Sequence, residues 1–144
     1  MVSPAAAPRS TSTRSGGPAV PHRRRRHRAQ RPLLGASALV ALGAFLPWVY
    51  TGLGPVSGAR GAGLWVFYAA TLGIAGALVP SRRLAGLQGA VLALAAVGLA
   101  SWQVVHLLGL VGPQGWLPGP GLLLVFGGGL LAAKASYVLL SGRE

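Results

Sequence analysis

The chain has no cysteine and one acidic residue, Glu144. The first absence excludes disulfides, thiolate metal sites and cysteine nucleophiles together. The second removes more, because paired carboxylates, oxygen-rich Mg²⁺ or Ca²⁺ sites and carboxylate-oriented histidines all need groups that are missing. Most hydrolase and transferase chemistry is set aside by that inventory. Charge of either sign is scarce: 10% of the residues are charged and 52% are hydrophobic, against about 25% charged in an ordinary globular domain. A water-facing surface cannot be made from so little charge.

The charge that exists is segregated. Of 13 Lys and Arg, eight precede Pro32: Arg9, Arg14, Arg23, Arg24, Arg25, Arg26, Arg28 and Arg31. Residues 1–31 otherwise hold mainly Pro, Ala, Ser, Thr and Gly, too little apolar surface to offset the entropy of ordering them. They read as a disordered basic arm, and residues 32–144 as a separate domain.

That domain contains four apolar runs, at about 33–50, 63–79, 84–110 and 120–140. As a helix the first measures about 27 Å, close to the roughly 30 Å of bilayer hydrocarbon. Pro32 and Pro120 suit a first helical turn, where the missing N–H leaves nothing unpaired. Pro80-Ser81-Arg82-Arg83 stops the second run, and the third is long enough to need tilt. The expected fold class is all-α, an integral membrane four-helix bundle with short loops at 51–62 and 111–119.

Orientation follows from the bases. With the N-terminus inside and four crossings, the arm, Arg82, Arg83, Lys134 and Arg143 all lie on the cytoplasmic side, and Arg60 alone lies outside. The same topology places Trp48, Trp65, Trp102 and Trp116 at the outer rim, where interfacial tryptophan is favoured. The first run could instead be a signal-peptide core ending at Ser57-Gly58-Ala59, but the long preceding arm and the spanning length speak for a retained helix.

The two halves share a pattern: Ala38 to Gly43, Trp48, Gly52-Leu53-Gly54-Pro55 and Gly63-Leu64 against Ala93 to Gly98, Trp102, Gly109 to Pro113 and Gly121-Leu122. Either the hairpin is duplicated, giving two parallel-related hairpins, or common residues recur by chance. Small residues four apart mark helix faces suited to close packing: Ala69-Gly73-Ala77, Ala85-Gly89-Ala93 and Gly128-Ala132-Ser136. Such faces serve either the bundle itself or a partner, whether another membrane protein or, by self-association, a second copy of the chain.

Two sets of residues stand out as candidate sites. His106 is the only histidine outside the arm, one helical turn from Trp102 and Gln103. An ionisable group in a membrane helix is a functional suspect, with an interfacial histidine touching water as the plainer alternative. No set of partners suits a metal. The block Arg23, Arg24, Arg25, Arg26 and Arg28, with Arg31 behind it, would contact anionic lipid, each base contributing roughly 1 kcal/mol beside an anionic leaflet. Nucleic acid is disfavoured because no aromatic residue interleaves the block to stack on bases. Lys134 can extend its stem to the headgroups.

The stretch Gly43-Ala44-Phe45-Leu46-Pro47-Trp48, ending the first apolar run, resembles that of the many small, uncharacterised four-helix membrane proteins abundant in high-GC bacteria. The resemblance covers the membrane body without the arm. It implies a fold and no activity. Trp48 with Gly63-Leu64-Trp65 is also similar to the claudin pattern, but the cysteine pair and the long outer loop are missing. Small multidrug transporters couple protons through a glutamate in a helix, and no helix here has one. The expected function is that of a non-enzymatic accessory or interaction protein of the plasma membrane, without a cofactor. The alternative is a small pore or transporter subunit with a site near the outer end of the third helix.

Overall fold

The computed structural model describes residues 30–114 and 116–142. The expected basic arm lies outside the described residues except for Gln30 and Arg31, which form the first turn of a helix. The fold is mostly helical, with four helices among the described residues: α1 (Gln30–Phe45), α2 (Gly63–Leu78), α3 (Arg82–Val111) and α4 (Pro120–Ser141). They form a ring in which α1 and α3 each pack against both α2 and α4.

To the expected helices the structure adds a three-stranded antiparallel sheet at one end of the ring. It consists of β1 (Pro47–Thr51), β2 (Gly54–Ser57) and β3 (Trp116–Pro118) in the order β2-β1-β3. The apolar run 33–50 is therefore a helix followed by a strand. Pro47 disfavours a helical conformation at Leu46 and offers no N–H to continue the ladder, so α1 stops at Phe45. Trp48, Val49, Tyr50 and Thr51 are aromatic or β-branched and suit a strand, yet in hydropathy they extend the helix without a break. Proline confirms the topology: Pro47 begins its strand, and Pro55 and Pro118 lie in the two edge strands, where a missing donor is tolerated. The expected loop at 51–62 is a tight turn, β2 and a short 3₁₀ turn (Gly58–Arg60).

The helical core is built from small residues. All nine members of the three small-residue faces are buried, so those faces are consumed inside the bundle. Gly73 on α2 lies against Ser37 and Leu92, and Gly89 on α3 against Ser136 and Leu33. A Cβ at either glycine would collide with its neighbours, so these glycines set how closely the helices approach. The Ser37 and Ser136 hydroxyls donate to Leu33 O and Ala132 O on their own helices, both at 2.8 Å, which satisfies them without help from a neighbour.

The large apolar side chains point the other way. Leu42, Trp65, Tyr68, Leu94, Val105 and Leu123 are all at least 60% exposed, whereas the fully buried set of largest side chains is three leucines, three valines and Ser37. Arg82–Leu110 and Pro120–Ser141 are long and apolar enough to cross a membrane, with only 22% and 44% of their apolar windows buried. Helices α1 and α2, at 16 residues each, are shorter.

Candidate functional site

The sheet end is organised around Trp48. Its indole is 3% exposed and donates from Nε1 to Gly43 O at 2.9 Å. Gly58, Gly119 and Gly121 close on it, and a Cβ at any of the three would strike the Trp48 ring or backbone. The Gly119 N–H donates to Trp48 O at 2.7 Å, and the Gly58 N–H to Leu46 O at 3.2 Å. One side chain thus ties the end of α1 to the starts of the 3₁₀ turn and of α4.

At the opposite end the helix termini are held by side chains. Gln30 Nε2 donates to Val79 O at 2.7 Å, and the Arg82 guanidinium donates twice to Leu139 O, at 3.3 and 3.2 Å. Both acceptors lie at helix C-terminal ends, where carbonyls lack intrahelical partners and a cation is favoured. Lys134 is exposed on α4, about 10 Å of helix before its end.

The three residues expected to form one site on α3 divide between two places. Trp102 and His106 stack on the outside of the helix, ring centroids 6.2 Å apart and planes 10° from parallel; both are exposed. Gln103 is turned the other way. Half-buried, it lines a cavity of about 160 Å³ with Trp48, Ser57, Arg60 and residues of the adjoining turn. Trp102 and His106, four apart, share a face, whereas Gln103 follows Trp102 directly and is turned about 100° around the helix from it, enough to face a neighbouring element.

A second, larger cavity of about 440 Å³ opens between α3 and α4 beside the sheet. Ala100, Val104, Trp116, Leu122 and Phe126 contribute to a nearly all-apolar wall, with Ser101 at its edge. Trp116 Nε1 is buried without a partner, as is Gln88 Oε1 against Gly76 between α2 and α3. Among the described residues no group of three or more His, Cys, Asp or Glu could hold a metal. Compared with family models, curated proteins and solved structures, the chain matches none.

Sequence reasoning did not place Arg60, read only as the one base on the outer side, or Ser57 beside Gln103, whose cavity both line. No motif unites residues 57, 60 and 103. Trp48 carried a usable signal, in that a tryptophan directly after proline is flanked at a distance by Gly-Pro and Gly-Leu pairs. Of the arginines expected to contact lipid, Arg31 is exposed in the first turn of α1, and Arg23, Arg24, Arg25, Arg26 and Arg28 lie outside the described residues. The aligned halves occupy unlike surroundings: Gly43 is packed on α4 while Gly98 has open space beside it, and Trp48 is buried while Trp102 is 65% exposed. Gly63 and Gly121, both at helix starts in close contact, are the matching pair.

Proposed function

We propose that the chain is a multi-pass protein of the plasma membrane, its four helices crossing with both ends on the cytoplasmic side, that acts without catalysis as an accessory or interaction protein. The observation that carries the membrane reading is the inverted placement of side chains, small residues inside and large apolar ones outside. In water such a surface would aggregate; in lipid, association rests on close packing of small residues and the outer face meets acyl chains. The 16-residue helices measure about 24 Å, short of the hydrocarbon thickness, and local thinning of the bilayer with interfacial tryptophans accommodates them. Among the described residues Gln30, Ser37 and Ser136 are the buried polar ones, and the half-buried Gln88 adds one buried Oε1 between α2 and α3. Ser37 and Ser136 bond within their own helices and Gln30 sits at one end, an arrangement that suits a closed bundle better than a pore.

Since the small-residue faces are used internally, partner contact in this reading falls to the outward face of α3, where Trp102 and His106 add aromatic and polar character to a leucine surface. The arm would hold anionic lipid on the cytoplasmic side. Topology is tested by single thiols, each unique in a cysteine-free chain. Leu53→Cys, at the fully exposed tip of the β1–β2 turn, should react with a membrane-impermeant maleimide in intact cells, and Gly142→Cys only after permeabilisation. The opposite pattern refutes the orientation. For the role, crosslinking in native membranes should return a protein partner that Trp102→Ala with His106→Ala releases; recovery of the chain alone, in both forms, refutes the interaction reading.

A further inference from the structure

The cavity beside Gln103 is lined by three residues with polar side chains from three parts of the chain: Ser57 at the end of β2, Arg60 in the 3₁₀ turn and Gln103 on α3. None of the three makes a hydrogen bond or ion pair with a described residue. Ser57 and Gln103 are half-buried and Arg60 is exposed; Trp48, Val49 and Val56 also line the cavity. Several polar side chains elsewhere donate to carbonyls: Ser37, Ser136, Thr51, Thr71, Gln30 and Arg82. Here three residues with unpartnered donors line one cavity.

Their chemistry is that of an anion receptor. A guanidinium presents five donors in a planar fork suited to the oxygens of phosphate, and a carboxamide and a hydroxyl add up to three more. Arg60 is the one Lys or Arg among the described residues at the sheet end, and the chain's single carboxylate side chain lies outside them. No described group competes for the guanidinium. The volume, about 160 Å³, is well above the roughly 10–15 Å³ that one water needs on the same measure, room for a compact oxyanion.

The geometry points to a phosphate-binding site at the sheet end, formed by Arg60, Gln103 and Ser57, that takes a phosphate group either from a phospholipid headgroup or free in solution. The receptor stands on its own residues; the lipid source alone rests on the membrane reading above. Arg60 supplies the charge, Gln103 and Ser57 orient the oxygens, and Trp48 forms the floor. Because Trp48 is also the post around which the sheet end is built, an occupant would rest on the most constrained part of the fold.

The test uses the full chain in neutral maltoside micelles, titrated calorimetrically with inorganic phosphate at low ionic strength, and in nanodiscs of phosphatidylcholine with phosphatidylglycerol, from which retained lipid is counted by native mass spectrometry. Arg60→Gln should weaken the bound probe at least tenfold and Arg60→Lys, which keeps charge without the fork, about fivefold. Gln103→Leu, which leaves net charge unchanged, should weaken it three- to fivefold. Arg83→Gln at the opposite end should leave it unaltered. Binding of free phosphate with this pattern assigns a soluble source, retention of phosphatidylglycerol with this pattern assigns a headgroup, and both together assign a site open to either. If Arg60→Gln and Gln103→Leu, with unchanged melting temperatures, bind both probes as the unmodified chain does, or if Arg83→Gln weakens binding as much as Arg60→Gln, the site is refuted and the attraction is that of net charge. Should the thiol-labelling test fail while the phosphate titration holds, the membrane reading falls and the receptor remains.

Discussion

At the sheet end the helices are joined by backbone pairing and a buried tryptophan on which three glycines close; at the other end two long side chains reach across to part-buried carbonyls near helix ends. The first arrangement is rigid and shape-dependent, since any added atom meets backbone. The second is polar and local, because each contact is one or two hydrogen bonds to a helix-end carbonyl and its loss opens no packed space. The difference locates stability at one end and leaves the other free to adjust.

Replacing Trp48 tests that contrast most severely. Trp48→Ala empties the space between Gly43, Gly58 and Gly121 and should cost about 3–5 kcal/mol, read from unfolding in mixed micelles, with Trp48→Phe retaining much of the stability. Gly119→Ala drives a methyl into the Pro47 carbonyl and should cost about 1–3 kcal/mol by overpacking. At the opposite end Arg82→Ala should cost about 1 kcal/mol, the net worth of its hydrogen bonds to Leu139. Equal losses at Trp48 and Arg82 would overturn the contrast. The double variant of Trp48 and Arg82 should lose the sum of the single losses to within about 0.5 kcal/mol, because sites at opposite ends share no partner. Smallest of all, Trp102→Ala and His106→Ala should each shift stability by no more than about 0.5 kcal/mol, as exposed positions do; a larger change would mean that the stacked pair supports the fold.

The helices themselves were legible in the sequence because hydropathy and proline placement are local signals. Pro32, Pro120 and the Pro80-Ser81-Arg82-Arg83 break marked ends that the structure reproduces to within a few residues. The small-residue faces were legible as faces, though not as to what they meet. The sheet was hidden for a physical reason: Trp48 to Thr51 is as apolar as the helix before it, and β3 pairs with a strand far along the chain, a contact no local window contains. The same holds for the candidate site. The helical spacing of Trp102, Gln103 and His106 was visible, but whether Gln103 turns inward depends on where the 57–60 segment folds back, which Trp48 and its glycines decide.

The pairing of Val49, Tyr50 and Thr51 with Pro118, Leu117 and Trp116 joins the two helical hairpins by a ladder rather than by packing alone. Smooth helices lined with alanine and glycine can slide along one another at little cost, since one small residue resembles the next. A ladder cannot slide: a slip by one residue is a step of about 3.3 Å and turns each side chain to the opposite face. The short sheet therefore acts as a vernier, setting the height of the second hairpin against the first and bringing Gly43, Gly121 and Gly128 to the levels where their neighbours leave no room for a side chain.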